Sequence, residues 1–182
     1  MESGKLKIFV GQVTTQCEFV CISAQGLDVA VKNQDLIGVF YYIQALLTAS
    51  ANVSRLLWGQ DGNSTKAKLR RAERQAVRDV FHITDESILV TQRKMRNNSE
   101  HFDERIDAWW ERPTSTKGGF VDMNYGKGVG SSFSGDALVK TSFFRAYDTT
   151  TATLTFWDQK YSTKEISAEA YRLLLIGKQR SS

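Results

Sequence analysis

Leu36-Ile37-Gly38-Val39-Phe40-Tyr41-Tyr42-Ile43-Gln44-Ala45-Leu46-Leu47-Thr48-Ala49-Ser50-Ala51 is the most apolar run of the chain, and its reading decides between a membrane span and a core helix. The run is shorter than the ~20 apolar residues that a bilayer asks of a helix. Gln44 also sits in its middle, which a core tolerates better than a hydrocarbon layer does. We therefore read residues 35–58 as a central buried helix, stopped by Gly59 and the turn-forming Gln60-Asp61-Gly62-Asn63.

On its N-terminal side the pattern predicts a first helix within residues 6–31, broken near Gly26. Cys17 and Cys21, the two cysteines, share one side of it and read as reduced core or near-core residues. Ile8-Phe9-Val10 is too short for a signal sequence and is interrupted by Gly11, Gln12 and Thr14, so the expected compartment is the cytoplasm. The chain has 182 residues, 24 Lys and Arg against 20 Asp and Glu, and a net charge of +4. That permits an RNA partner without demanding one.

On its C-terminal side a basic helix is expected over residues 65–81. Lys66, Lys68, Arg70, Arg71, Arg74 and Arg78 are interleaved there with Leu69, Ala72, Ala76, Val77 and Val80. Such a face is either solvated or tracks phosphates. His82, just past it, reads as structural. Next, Ile88, Met95, Phe102, Ile106 and Trp109 recur at helical spacing behind Thr84, Asp85 and Glu86, which look like a start signal. They predict one helix of about eight turns over residues 85–111, at 3.6 residues per turn, ended before Pro113. Residues 113–135 are rich in Gly, Ser and Thr and read as a loop with short strands. Gly126-Lys127-Gly128 has the wrong order for a phosphate-binding loop. Residues 139–161 are rich in β-branched and aromatic side chains and predict a hairpin turning at Asp148-Thr149-Thr150. A last helix is expected over residues 165–178.

The expected architecture is mainly α. Residues 1–112 form a bundle, 113–162 a glycine-rich loop and small β-hairpin insertion, and 163–182 a helix that closes the same domain.

Chemistry concentrates in the fourth predicted helix. Arg96 and His101 flank its outer face, with Asn97, Glu100 and Glu104 between them and Asp103 nearby. Arg-Asn-x-x-x-His on a long helix resembles the motif of the HEPN superfamily, an arginine and a polar residue followed within a few positions by histidine. The resemblance covers residues 27–112. It implies a HEPN-like helical bundle acting as a metal-independent endoribonuclease, with toxin–antitoxin or defence roles. It also implies a homodimer joining two motifs in one cleft, and an antitoxin or other regulatory partner. No cofactor, metal or membrane is expected.

The chemistry can be stated from the residues themselves. Cleavage by the ribose 2′-OH needs a base that titrates near neutrality, the part His101 would take. It also needs a fixed cation for the phosphate, the part for Arg96. Asn97 would orient the phosphate or brace His101, and Glu100, Asp103 and Glu104 would support them. A metal site from Glu100, His101, Asp103, Glu104 and Asp107 lacks the repeated Glu-x-x-His arrangement on two helices. The alternative function is a non-catalytic helical interaction protein that uses the same helix face for a dimer or partner contact.

Overall fold

The computed structural model describes residues 3–59, 64–91, 102–112, 119–129, 142–157 and 159–181. It is mainly helical with a small mixed sheet. Helix α1 spans Ser3–Lys32 and α2 spans Leu36–Trp58. They are followed by α3 (Thr65–Glu73), α4 (Gln75–Phe81), a 3-10 turn (Ile88–Thr91) and α5 (Phe102–Trp110). Six short strands come next, β1 Phe120–Val121, β2 Asn124–Gly126, β3 Ser142–Phe143, β4 Arg145–Asp148, β5 Thr153–Phe156 and β6 Gln159–Ser162. Helix α6, Thr163–Ser181, ends the described chain.

The apolar run becomes α2, as expected. Asp35 caps it, its Oδ1 accepting from the Gly38 N–H at 2.9 Å. Gly59 ends it at φ +79°, a backbone region that glycine enters freely. Among the described residues α2 is the one helix long and apolar enough to cross a membrane, and half of its most apolar window is buried inside the protein. Val39, Leu46, Val53 and Leu57 are fully enclosed, packed with Val13, Cys17 and Val20 of α1 and Ile166, Ala170 and Leu173 of α6.

Helix α1 is not broken at Gly26. It runs on because Gly26 is where Tyr42 crosses, and a Cβ there would enter the tyrosine ring. Gly38 similarly faces Ala30, and Asn52 donates to Gln16 across the same seam at 3.1 Å. These pairs share one antiparallel register. On the other side Gly177 lets α6 approach Thr14.

The basic helix is divided at Arg74. Its N–H reaches both Arg70 O and Arg71 O at 3.2 Å, and its guanidinium turns in over the Phe9 ring, 3.6 Å from the centroid. The expected continuous helix from Asp85 is absent over residues 85–91. There the Thr84 and Ser87 hydroxyls accept from the Glu86 and Leu89 N–H groups, a local arrangement that competes with helix. The expected apolar stripe is covered in part: Met95 lies outside the described residues and Ile88 is half-buried. Phe102 and Ile106 are exposed on α5, and Trp109 is buried.

The hairpin is part of a larger sheet. Strand β4 pairs antiparallel with β5 and parallel with β2, while β6 extends the sheet beyond β5. Strands β1 and β3 form a separate parallel pair. The turn after Asp148 falls where the sequence placed it, the carboxylate accepting from the Thr150 N–H and the Thr151 hydroxyl.

Two stability outcomes follow. Gly26→Ala and Gly177→Ala each lose roughly 1–3 kcal/mol to overpacking, against a gain of about 1 kcal/mol in helix propensity, so denaturant melts of both fall below wild type. Glu169 is bound by Arg172 (Nε to Oε2, 2.8 Å) and by Ser87, which holds its carboxyl below the ordinary carboxylate range. That stabilisation is complete above the ordinary glutamate range near pH ~4.3 and drains as pH falls through the lower native value. Glu169→Gln therefore costs about 1 kcal/mol at neutral pH after solvent screening, and the gap to wild type closes in acid.

Candidate nucleic-acid interface

Helix α3 forms because Ser64 caps it, its Oγ accepting from the Ala67 N–H at 3.2 Å. The helix then buries none of its own residues. Leu69, one of the interleaved apolar residues, is 64% exposed; of that apolar set, Val77 on α4 is the buried one. Lys66, Lys68, Arg70 and Arg71 are all exposed. The helix's single acid, Glu73, is held by Lys5 at 2.7 Å, so it does not neutralise them. Four cations on nine residues give this helix a positive surface suited to a phosphate backbone.

The other two arginines of the basic segment face inward. Arg78 is 8% exposed and donates to Leu57 O at 2.8 Å and to Gln75 Oε1, tying α4 to the end of α2. Arg74 lies half-buried on Phe9, with Nε and Nη1 enclosed and unpartnered. Burial holds its guanidinium below its ordinary range, although arginine stays charged at neutral pH.

Arg96, Asn97, Glu100 and His101 lie outside the described residues. Asp103 and Glu104 fall within them, in the first turn of α5, where both are exposed and complement the helix dipole. Helix α5 meets the sheet through aromatic rings, Phe102 with Phe144 at 6.1 Å and Trp109 with Phe120 at 5.0 Å. Between α2, α5 and the sheet lies an apolar cavity of about 130 Å³, lined by Phe40, Leu47, Phe102, Phe144 and Phe156. Arg145 borders it. Its fork is taken by Asp122 (Nε to Oδ1 2.8 Å, Nη2 to Oδ2 2.6 Å) and its plane lies near the Phe40 and Phe144 rings. The arrangement is structural glue between sheet and bundle.

Among the described residues no group of three or more His, Cys, Asp or Glu is placed to hold a metal ion. Cys17 is buried and Cys21 half-buried, both unpaired, and burial raises both thiols above the ordinary cysteine range. Neither has the depressed pKa of a nucleophile. His82 closes α4 in the left-handed conformation at φ 49°, consistent with its structural reading.

The sequence reading passed over Arg55, Gln12, Gln16 and Asn52, which share a pocket with Arg74. The available signal was Arg55 itself, a cation within the apolar stretch from Val53 to Trp58. No family model matches the chain, and no curated protein or solved structure matches it either.

The six basic residues thus divide by burial. Arg78→Ala is expected to cost roughly 1–3 kcal/mol in denaturant melts, because buried Leu57 O loses its donor. Lys66→Ala and Lys68→Ala should each stay within about 0.5 kcal/mol of wild type. The same two variants should weaken retention on RNA and flatten its salt dependence by about one unit of slope each.

Proposed function

We propose that the chain is a metal-independent endoribonuclease of the HEPN type, working as a homodimer in a toxin or defence setting. The cleavage part of the reading rests on the spacing Arg96-Asn97-x-x-x-His101 in the sequence. The observation that carries the RNA part is α3, whose four exposed cations stand beside a single, already paired acid. In this mechanism Arg96 holds the scissile phosphate, Asn97 orients it, and His101 takes the 2′-OH proton. Glu100, Asp103 and Glu104 support the pair, the last two from an exposed helix turn. The second chain of a dimer supplies the other wall of the cleft, and an antitoxin or other regulatory protein is a further partner of this reading.

A second reading, a non-catalytic interaction protein, is favoured by a different observation. Helices α1 and α2 leave Phe19, Ile22, Val29, Ile37 and Tyr41 between 49% and 68% exposed, more apolar surface than solvent contact alone explains.

Incubation with mixed RNA in EDTA separates the two. The nuclease cuts without metal and leaves 2′,3′-cyclic phosphate ends. His101→Ala then slows cleavage by roughly 10²–10⁴-fold, and Arg96→Lys recovers little of the Arg96→Ala loss, because a point charge lacks the guanidinium fork. Cleavage by His101→Ala at the wild-type rate would sink the enzymatic reading and leave the interaction protein.

A further inference from the structure

Where α1, α2 and the α3–α4 junction meet, the surface opens into a pocket of about 290 Å³ lined by Phe9, Gln12, Gln16, Asn52, Arg55, Leu56 and Arg74. Its chemistry is one-sided. Two guanidinium groups and three amides line it, and among the described residues no carboxylate does. Glu73, next in sequence to Arg74, is occupied by Lys5 at 2.7 Å.

Elsewhere in the described chain the inward-facing arginines are satisfied. Arg145 has Asp122, Arg172 has Glu169, and Arg78 has Leu57 O and Gln75. Arg74 differs: Nε and Nη1 are shut from solvent with no hydrogen-bond partner, its plane lies over the face of Phe9, and the carboxylate whose charge it feels, Glu73, is already bound by Lys5. Enclosed guanidinium nitrogens without a hydrogen-bond partner are costly, and an anion met by a small turn of the side chain would complete them. Arg55 reaches the same pocket from the last turn of α2. The bond from Asn52 to Gln16 at 3.1 Å fixes the amide floor between them. The volume holds a tetrahedral oxyanion together with several waters, each taking about 30 Å³.

We infer that this pocket is a phosphate-binding site in which Arg55 and Arg74 clamp the oxyanion and the Gln12, Gln16 and Asn52 amides orient it. The phosphate comes either from an RNA backbone passing α3 or from a terminal phosphomonoester of a nucleotide. The backbone source rests on the RNA reading above, whereas the site itself does not.

The test uses the full chain carrying His101→Ala, in EDTA, so that RNA added to it stays whole. Inorganic phosphate is titrated at constant ionic strength against chloride, followed by melting temperature and by ³¹P line broadening. The expected result is a saturable rise in melting temperature with phosphate. Arg55→Gln and Arg74→Lys each weaken it roughly tenfold or more, the scale of one lost charge-assisted hydrogen bond, and Lys164→Ala, at the exposed start of α6, does not. Should Arg74→Lys fail to fold, Arg55→Gln decides alone. Competition then names the source. Displacement of phosphate by a short RNA without terminal phosphates identifies the backbone, and displacement by nucleoside monophosphates alone identifies the monoester. A phosphate response no greater than that of chloride, or one unchanged in Arg55→Gln, overturns the site. That outcome leaves the nuclease reading standing if wild-type protein still cuts. Saturable binding by a chain that never cuts keeps the site and removes the nuclease.

Discussion

Helices α1 and α2 pack along a seam in which Gly26 leaves room for the Tyr42 ring and Gly38 for Ala30, and the rest of the bundle is built on that seam. With no side chain at those positions, the two backbones come near enough for Val13, Cys17 and Val20 to be fully enclosed. Gly177 does the same for α6 against Thr14. The seam also fixes register. Because Gly26 lies opposite Tyr42, Gln16 must lie opposite Asn52, and the amide pair that floors the phosphate pocket is a consequence of core packing rather than a separate device. A small residue far from the pocket thus sets its geometry.

The internal charges show how strictly the fold accounts for its cations. Arg78 spends its donors on the end of α2, Arg172 on Glu169 and on Phe81 O, and Arg145 on Asp122. Each links two elements, and each is the kind of paired or hydrogen-bonded cation that an interior accepts. Measured against these three, the unpartnered nitrogens of Arg74 stand apart. The exposed cations of α3 stand apart in the same way: Lys66, Lys68 and Arg70 have no carboxylate partner among the described residues. Fold stability alone gives no reason for this excess of positive charge, whereas a phosphate ligand does.

How much of this could be read from the sequence depends on whether a signal was local. The central helix was readable because its apolar run, Asp35 cap and Gly59 stop lie within one segment. The last helix and the turn after Asp148 were readable for the same reason. Gly26 misled, since a glycine that permits close approach looks identical in sequence to one that breaks a helix. The spacing from Ile88 to Trp109 was right for α5 and, among the described residues, misled only at its N-terminal end, over residues 85–91. Periodicity counts positions but does not detect Thr84 and Ser87 hydroxyls closing a turn instead of a helix. The parallel pairing of β2 with β4 joins segments about twenty residues apart, which no local window contains. For the site, the basic residues were readable as a run, but their burial was not. Arg78 and Arg74 could be separated from Lys66 and Lys68 only once α4 was seen to pack on α2. Arg55, Gln12, Gln16 and Asn52 converge through the register of the α1–α2 seam, which is a tertiary property.

Helix α3 poses a question that its own residues answer. It buries nothing, so packing does not hold it. The Ser64 cap and the Lys5–Glu73 pair help to secure it. Against these work Lys66 with Arg70 and Arg70 with Arg74, like charges four apart, each pair destabilising by a few tenths of a kcal/mol, roughly as much as an opposite pair would stabilise. A surface ion pair contributes on the order of 1 kcal/mol at most. Order in α3 is therefore nearly balanced against its own repulsion. A polyanion laid along the helix removes that repulsion and, by mass action, stabilises the helix it binds. An anion bound in the proposed neighbouring pocket would relieve the same repulsion, so order in α3 and occupancy of that pocket are coupled on this reading.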